Sequence, residues 1–466
     1  MTTEKLRLQE KIGYGFGDLA SSMFWKIFGM YLLFFYTDIF GLPAAAVGTM
    51  FLVTRIWDTL FDPVVGVLAD RTKSRWGKFR PYLLWFALPF GIVGTLMFIT
   101  PGFNTTWKLV YAYITYSLMM GVYSMINVPY ASLLGVMSAD IKERNVLSSF
   151  RMVFAFIGSF IALLLIEPLV RFFTAGSGGN AQTGWTLGVM IIAILCVLFF
   201  LGCFFLTRER IKPISTTNDP LKDDIKDLFR NRPWWILLGA GIAALIFNSI
   251  RDGAAVYYFK YFVQKDVTVN LPFLNTALTL TTLYLVLGQA FNIIGIITVT
   301  PLSNRFGKKL TYLGAMVAAT ALSLVFFFIN KESIGLIMVM QCLISMCAGS
   351  IFPLLWSMYA DITDYSEWKT GRRATGLIFS SSSMSQKFGW TLGGALTGWL
   401  LGYYGFKANV VQTEEVQTGI RLMLSIFPAI GTFLSVVFIA FYPLNEKHMQ
   451  TVTNELKERR IHFRSE

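Results

Sequence analysis

RIWDTLFDP, residues 55–63, sets two carboxylates into a stretch otherwise apolar enough to cross a membrane. Asp58 and Asp62 are four residues apart, so a helix places them on one face. Arg55, three residues before Asp58, lies on nearly the same face. An ionised side chain at bilayer depth is costly unless it faces a cavity, a counter-charge or a bound cation. One arginine against one acid reads as an ion pair that locks helices together. The second acid exceeds what Arg55 neutralises and points to a cation site.

The rest of the chain agrees that this stretch lies in a membrane. Hydrophobic residues are 55% of the 466 residues and charged residues only 14%. Apolar runs long enough for the roughly 20 residues a spanning helix needs recur from end to end. They predict twelve spans: 12–38, 44–69, 81–100, 107–137, 146–172, 185–206, 234–263, 276–300, 310–329, 333–360, 373–403 and 419–442. The expected fold is therefore an all-α integral membrane protein. The first run is too long for a cleavable signal and no small-residue cleavage site follows it, so it is expected to stay. Cys196, Cys203, Cys342 and Cys347 fall inside spans without metal-ligand spacing, as reduced packing residues would.

A net charge of +13 would suit a nucleic-acid binder, but its distribution rejects that. Basic residues sit in alternate connections: 70–80, Lys142 to Arg144, 208–232, Arg305 to Lys309 and Lys369 to Arg373. The connections between, such as 101–107 and 175–184, are nearly neutral. The positive-inside rule then puts both termini in the cytoplasm. Residues 207–233 form the longest polar connection, with three prolines, mixed charge and an amphipathic stretch near Leu221 to Phe229. It separates a six-helix bundle over 1–206 from a second over 234–445, with a tail over 446–466. A basic, glycine-containing loop after the second span (Gly77-Lys78) recurs after the eighth (Gly307-Lys308) as a weak internal repeat. Two such halves resemble the major facilitator fold, whose substrate sits at mid-membrane between them.

Several motifs narrow that resemblance. Gly13-Tyr14-Gly15-Phe16-Gly17-Asp18, Arg55 to Asp58 with Asp62-Pro63, Trp76-Gly77-Lys78-Phe79-Arg80-Pro81, Asn127-Val128-Pro129-Tyr130 and Ala360-Asp361-Ile362-Thr363-Asp364-Tyr365-Ser366-Glu367 are similar to those of the glycoside–pentoside–hexuronide:cation symporters. They run in the expected order along essentially the whole chain. The resemblance implies cation-coupled uptake of a small glycoside by a monomer in the plasma membrane, a bacterial inner membrane, with no nucleic-acid partner. It implies no cofactor and a coupling ion that is H+ or Na+. Asp58 and Asp62 match the cation-binding pair, with Ser124 assisting and Lys387 as the nearby intramembrane lysine. Trp25, Tyr123, Arg151, Phe352 and Ser383 match sugar-pocket positions. If Na+ is the ion, Asp58 and Asp62 are its metal ligands.

Departures from the pattern bear on the ion and the sugar. Asn127 stands where a sugar-binding aspartate is expected, and an amide still bonds hydroxyls but holds no proton. Ser22 occupies the position of a span-one acid, while Asp18 lies one turn earlier and either contacts sugar or braces the span. Phe61 replaces an oxygen ligand between the helix-II acids, which favours a proton over sodium. Lys26 lies roughly 20 Å into its span, too deep to snorkel cheaply, and reads either as an ion-pair partner or as a cation lining the sugar cavity. Arg151 is near enough to the cytoplasmic end to snorkel instead. Arg251 and Asp252 are adjacent, so a helix points them to different partners.

The cytoplasmic ends offer a charge network: Arg75 and Arg80 on one half, with Asp361, Asp364, Glu367 and Arg372 on the other, are expected to form a gate. A lysolipid carrier of the same superfamily is the competing substrate class. An enzyme is not expected, because no nucleophile–base pair is evident and His448 and His462 both fall in the tail.

Overall fold

The computed structural model describes residues 6–138, 141–210, 226–264, 268–270, 277–370 and 375–465. In chain order its helices are α1 (Leu8–Ile27), α2 (Ala44–Arg71), α3 (Arg80–Leu96), α4 (Thr105–Met137), α5 (Ile141–Gly176), α6 (Ala181–Leu206) and α7 (Arg232–Tyr257). There follow α8 (Leu280–Phe306), α9 (Lys308–Phe326), α10 (Ile334–Thr370), α11 (Thr375–Tyr403), α12 (Glu414–Ala440) and α13 (Glu446–Ser465). Among the described residues, eight helices are long and apolar enough to cross a membrane: α4, α5, α6, α7 with its extension to Val263, α8, α9, α10 and α12. Of the others, α3 has 17 residues, and α1 and α2 are the helices that carry Asp18, Lys26, Arg55, Asp58 and Asp62.

The helical fold carries one short addition. Strands β1 (Thr268–Asn270) and β2 (Ala277–Thr279) pair antiparallel with Val269 opposite Leu278. Thr268, Val269 and Thr279 are β-branched and suit this geometry. The segment is too short for its alternation to stand out beside the long apolar runs. The amphipathic stretch expected near Leu221 to Phe229 lies mostly outside the described residues.

Helical geometry changes at matching places in the two halves of the sequence. After α1 the chain continues as π-helical turns at Phe28–Leu32 and Phe35–Ile39, and after α7 as another at Tyr258–Val263. Such widened turns concentrate at functional positions. α12 is interrupted at Ser425 (φ −125°, ψ −85°). Pro428 has no N–H to give the Leu424 carbonyl four residues back. The Arg251 guanidinium donates to that carbonyl instead, and its other arm donates to Gln341 Oε1 at 2.7 Å. Arg251 thus ties α7 to α12 and α10, and is 5% exposed.

The chain forms two compact units. One comprises Met1–Ser215, Lys265–Val286 and Gly398–Gln412; the other comprises Thr216–Gln264, Leu287–Thr397 and Thr413–Glu466. In the first, α1 packs most extensively on α5 and also on α6, α3 on α6 and α4, and α2 on α4. Close approach explains the glycines of the 13–18 motif: a Cβ on Gly17 would come within 2.3 Å of the Tyr130 ring. The short outlying segments join this unit through polar contacts: Thr279 donates its hydroxyl to Glu167, and Asn409 donates to the Asp38 carbonyl at 2.6 Å. In the second unit, α7 packs on α12, and α9 on α12 and α10.

Candidate functional site

α2 and α4 bring the helix-II acids onto one hydroxyl. Asp58 and Ser124 are fully buried and Arg55 is 6% exposed, while Asp62, one turn further along, is half-buried. Arg55 Nη1 donates to Asp58 Oδ2 at 3.0 Å. Ser124 Oγ lies 2.8 Å from Asp58 Oδ1 and 2.7 Å from Asp62 Oδ1. The hydroxyl carries a single hydrogen and can donate to only one of them. The hydroxyl thus stands at hydrogen-bond distance from both acids and fully serves only one of them at a time. Among the described residues no group of three His, Cys, Asp or Glu side chains converges as a metal site.

An aromatic and polar wall adjoins this cluster. The Arg55 guanidinium lies 4.2 Å from the Trp25 ring centroid, and Trp25 sits 5.6 Å from the Tyr123 ring. Asn127 Nδ2 donates to the Tyr123 hydroxyl at 2.8 Å. Asp18, Ser22, Trp25 and Lys26 are the half-buried positions of α1 in a region where their neighbours are buried, and Gly29 beyond them is exposed. Spacings of four, three and four residues put Asp18, Ser22, Trp25 and Gly29 on one stripe. Rings beside an amide and a cation form a surface suited to the apolar face and hydroxyl rim of a sugar.

Asp18 and Arg151 meet. The guanidinium donates through Nε to Asp18 Oδ2 and through Nη2 to Oδ1 at 3.2 Å, a two-pronged pair joining α1 to α5. It also stands 4.9 Å from the Tyr130 ring centroid. Tyr130 in turn donates to the Tyr14 carbonyl at 2.7 Å. Arg151 and Asp18 are thus paired with each other across α1 and α5.

A family model described as MFS/sugar transport protein matches residues 13–446. The chain belongs to that family. Membership among the glycoside–pentoside–hexuronide:cation symporters is thus borne out, and the chain is a transporter of the major facilitator superfamily and not an enzyme. It is 36% identical to the inner membrane symporter YicJ of Escherichia coli (strain K12) over 98% of this chain and 96% of that protein. It is 34% identical to the isoprimeverose transporter of Lactiplantibacillus pentosus, covering 94% and 89% of the two chains. The crystal structure of a bacterial homologue of the human lysosomal transporter Spinster shares the fold, with a TM-score of 0.66 at 13% identity over 97% of both chains.

The second unit of this MFS transporter holds the remaining expected site residues. Phe352 on α10 and Lys387 on α11 are half-buried. Ser383 lies on α11, but its side chain falls outside the described residues, and so does Arg372. Asp361 accepts from Lys308 Nζ through both oxygens at 2.7 Å, and Asp364 and Glu367 are half-buried on the same helix. In the first unit Arg75 is exposed, its guanidinium over the Trp76 ring. Arg80 donates to the Phe204 carbonyl at 2.7 Å, a bond within its own bundle.

Glu209 is the residue the sequence pattern missed. Its carboxylate accepts the backbone N–H groups of Lys78, Phe79 and Arg80 at 2.9, 2.7 and 2.9 Å, capping the start of α3. It stands in a mixed-charge connection, where nothing in the sequence marks one acid from the others. Glu209→Gln removes one acceptor oxygen and aims an N–H₂ at donors. It is expected to destabilise the protein by roughly 1–3 kcal/mol, seen as a lower midpoint of thermal unfolding in detergent.

Proposed function

We propose that the protein imports a glycoside (a pentoside, hexoside or hexuronide) together with a proton, by alternating access between two six-helix bundles over 1–206 and 234–445. In this reading twelve helices span the plasma membrane and both termini are cytoplasmic. The carrying observation is the single hydroxyl of Ser124 in contact with both Asp58 and Asp62. A proton needs a single acceptor oxygen, whereas a hard cation needs several oxygen ligands, and Phe61 supplies none. Ligand oxygens around a hard cation at roughly 2.3–2.6 Å stand further apart than these contacts, so a metal would have to spread the trio. The named activities of YicJ and the isoprimeverose transporter support symport of a sugar.

Trp25, Tyr123 and Asn127 receive the sugar beside the proton site, with Ser22 and Lys26 on the same face of α1; Phe352 and Ser383 are the further sugar positions, and Lys387 belongs with the coupling residues. The test is uptake into membrane vesicles under imposed gradients. A proton gradient should drive accumulation and a protonophore should collapse it. Accumulation driven by sodium at fixed pH, insensitive to the protonophore, would refute proton coupling and leave Asp58 and Asp62 as sodium ligands.

Substrate charge is read separately by counterflow. Lys26 is expected to favour a glucuronide, so Lys26→Ala should weaken competition by a glucuronide about tenfold, the effect of one partly screened charge at ~4 Å. Competition by a neutral pentoside should change much less. Equal loss of both would remove Lys26 from the pocket.

A further inference from the structure

The second unit carries an open groove of 390 Å³ between the end of α8, the start of α9 and the middle of α10. Its walls include Val299, Leu302, Phe306, Leu310, Gly314 and Met346. Leu302, Phe306 and Leu310 are 46%, 53% and 64% exposed, a row of large apolar side chains turned outward. A Cβ added at Gly314 would meet nothing within 4 Å, so the missing side chain is part of the hollow. Along α8 the wall from Thr298 to Phe306 runs roughly 12 Å.

One end of the groove is basic, and its three cations are engaged differently. Lys308 is neutralised by Asp361. Lys309 donates to the carbonyls of Ala440 and Tyr442 at 3.0 and 2.7 Å, which holds it in place without cancelling its charge. Arg305 is exposed and forms no ion pair among the described residues. Its guanidinium carbon lies 5.3 Å from the ring centroid of Phe306, itself a wall of the groove. An uncommitted cation therefore stands at the mouth of an apolar hollow on a membrane-embedded helix.

An acyl chain gains little by leaving other acyl chains, so the hollow alone would select no lipid. The charge supplies the selection. We propose that this groove seats one acyl chain of an anionic phospholipid, whose phosphate is held by Arg305 with Lys309 adding to the local field. A basic site between helices at the cytoplasmic surface, where the positive-inside rule places this loop, has the chemistry that captures such headgroups. None of the residues of the Asp58–Ser124–Asp62 cluster takes part, so the proposal stands whichever ion couples transport.

The test is native mass spectrometry of the purified, delipidated full chain with phosphatidylglycerol or phosphatidylcholine of the same acyl chains. The first phosphatidylglycerol should bind about fivefold more readily than phosphatidylcholine, the discrimination expected of one basic residue near a membrane. Arg305→Gln should abolish that preference, and the exposed Arg171→Gln should keep it. Gly314→Leu, whose Cβ meets nothing within 4 Å, should fill the groove and weaken binding of both lipids while thermal unfolding shows the fold intact. Equal binding of the two lipids to the unaltered protein, or an unchanged preference in Arg305→Gln, would overturn the proposal. So would disulfide-linked dimers of Gly314→Cys in native membranes, which would seat a second copy of the chain there.

Discussion

Asp62→Asn is expected to lower concentrative sugar uptake roughly a hundredfold, the upper range for coupling between two ligands, while sugar counterflow stays within about threefold. An asparagine has the shape of the aspartate but neither its charge nor its removable proton. The variant can still donate to Ser124 and hold α2 against α4, so binding and exchange persist. What it loses is the step that ties sugar movement to the ion gradient. Asp58→Asn should show the same uncoupling with a second cost, because Arg55, buried beside it at 3.0 Å, loses its carboxylate. Removing one partner of a buried pair costs roughly 3–5 kcal/mol, so less Asp58→Asn protein should reach the membrane. The comparison is read from uptake and counterflow in the same vesicles, normalised to protein in the bilayer. Concentrative uptake retained in both variants would dismiss the pair as the coupling site. Ser124→Ala should sit between, since it keeps both acids and removes only the hydroxyl they share.

Much of this arrangement was legible because its determinants are local. Twenty-residue apolar runs mark helices wherever the backbone must satisfy itself in lipid, and the observed α4, α5, α6 and α8 fall close to the predicted spans. Asp58, Asp62 and Arg55 are one turn apart on one helix, so spacing alone placed them together. Ser124 came from the family resemblance, since nothing in its own neighbourhood marks it from other serines. Long-range partners were not legible. Arg151 and Asp18 are separated by 133 positions, and the position of Arg151 near a span end fitted snorkelling equally well. Glu209 and Lys308 likewise find partners only once helices are packed. Asp361 and Arg80, expected in a network across halves, are held by Lys308 and by the Phe204 carbonyl in their own bundles. The interruption of α12 had a signal in Pro428, but an apolar run containing proline still reads as one span.

Arg151→Gln and Asp18→Asn should each destabilise the protein by about 2–4 kcal/mol, somewhat below the cost for a fully buried pair. The Arg151 and Asp18 side chains are 26% and 16% exposed, so some water reaches both and offsets part of the loss. Each single variant leaves one charge among α1, α4 and α5 with its two-pronged partner gone, and the guanidinium still lies over Tyr130. The double variant Asp18→Asn/Arg151→Gln removes both charges and should recover part of the loss, giving a coupling energy of roughly 1–3 kcal/mol in a double-mutant cycle. Thermal unfolding in detergent measures the four proteins, and counterflow measures their sugar affinity. If Arg151 instead binds the sugar directly, the cycle should show little coupling in stability, and Arg151→Gln alone should lose sugar affinity. A brace predicts the opposite division. Stability falls in both single variants, and sugar affinity in the folded fraction changes little, because Trp25 and Tyr123 keep their places two helical turns away along α1 and α4.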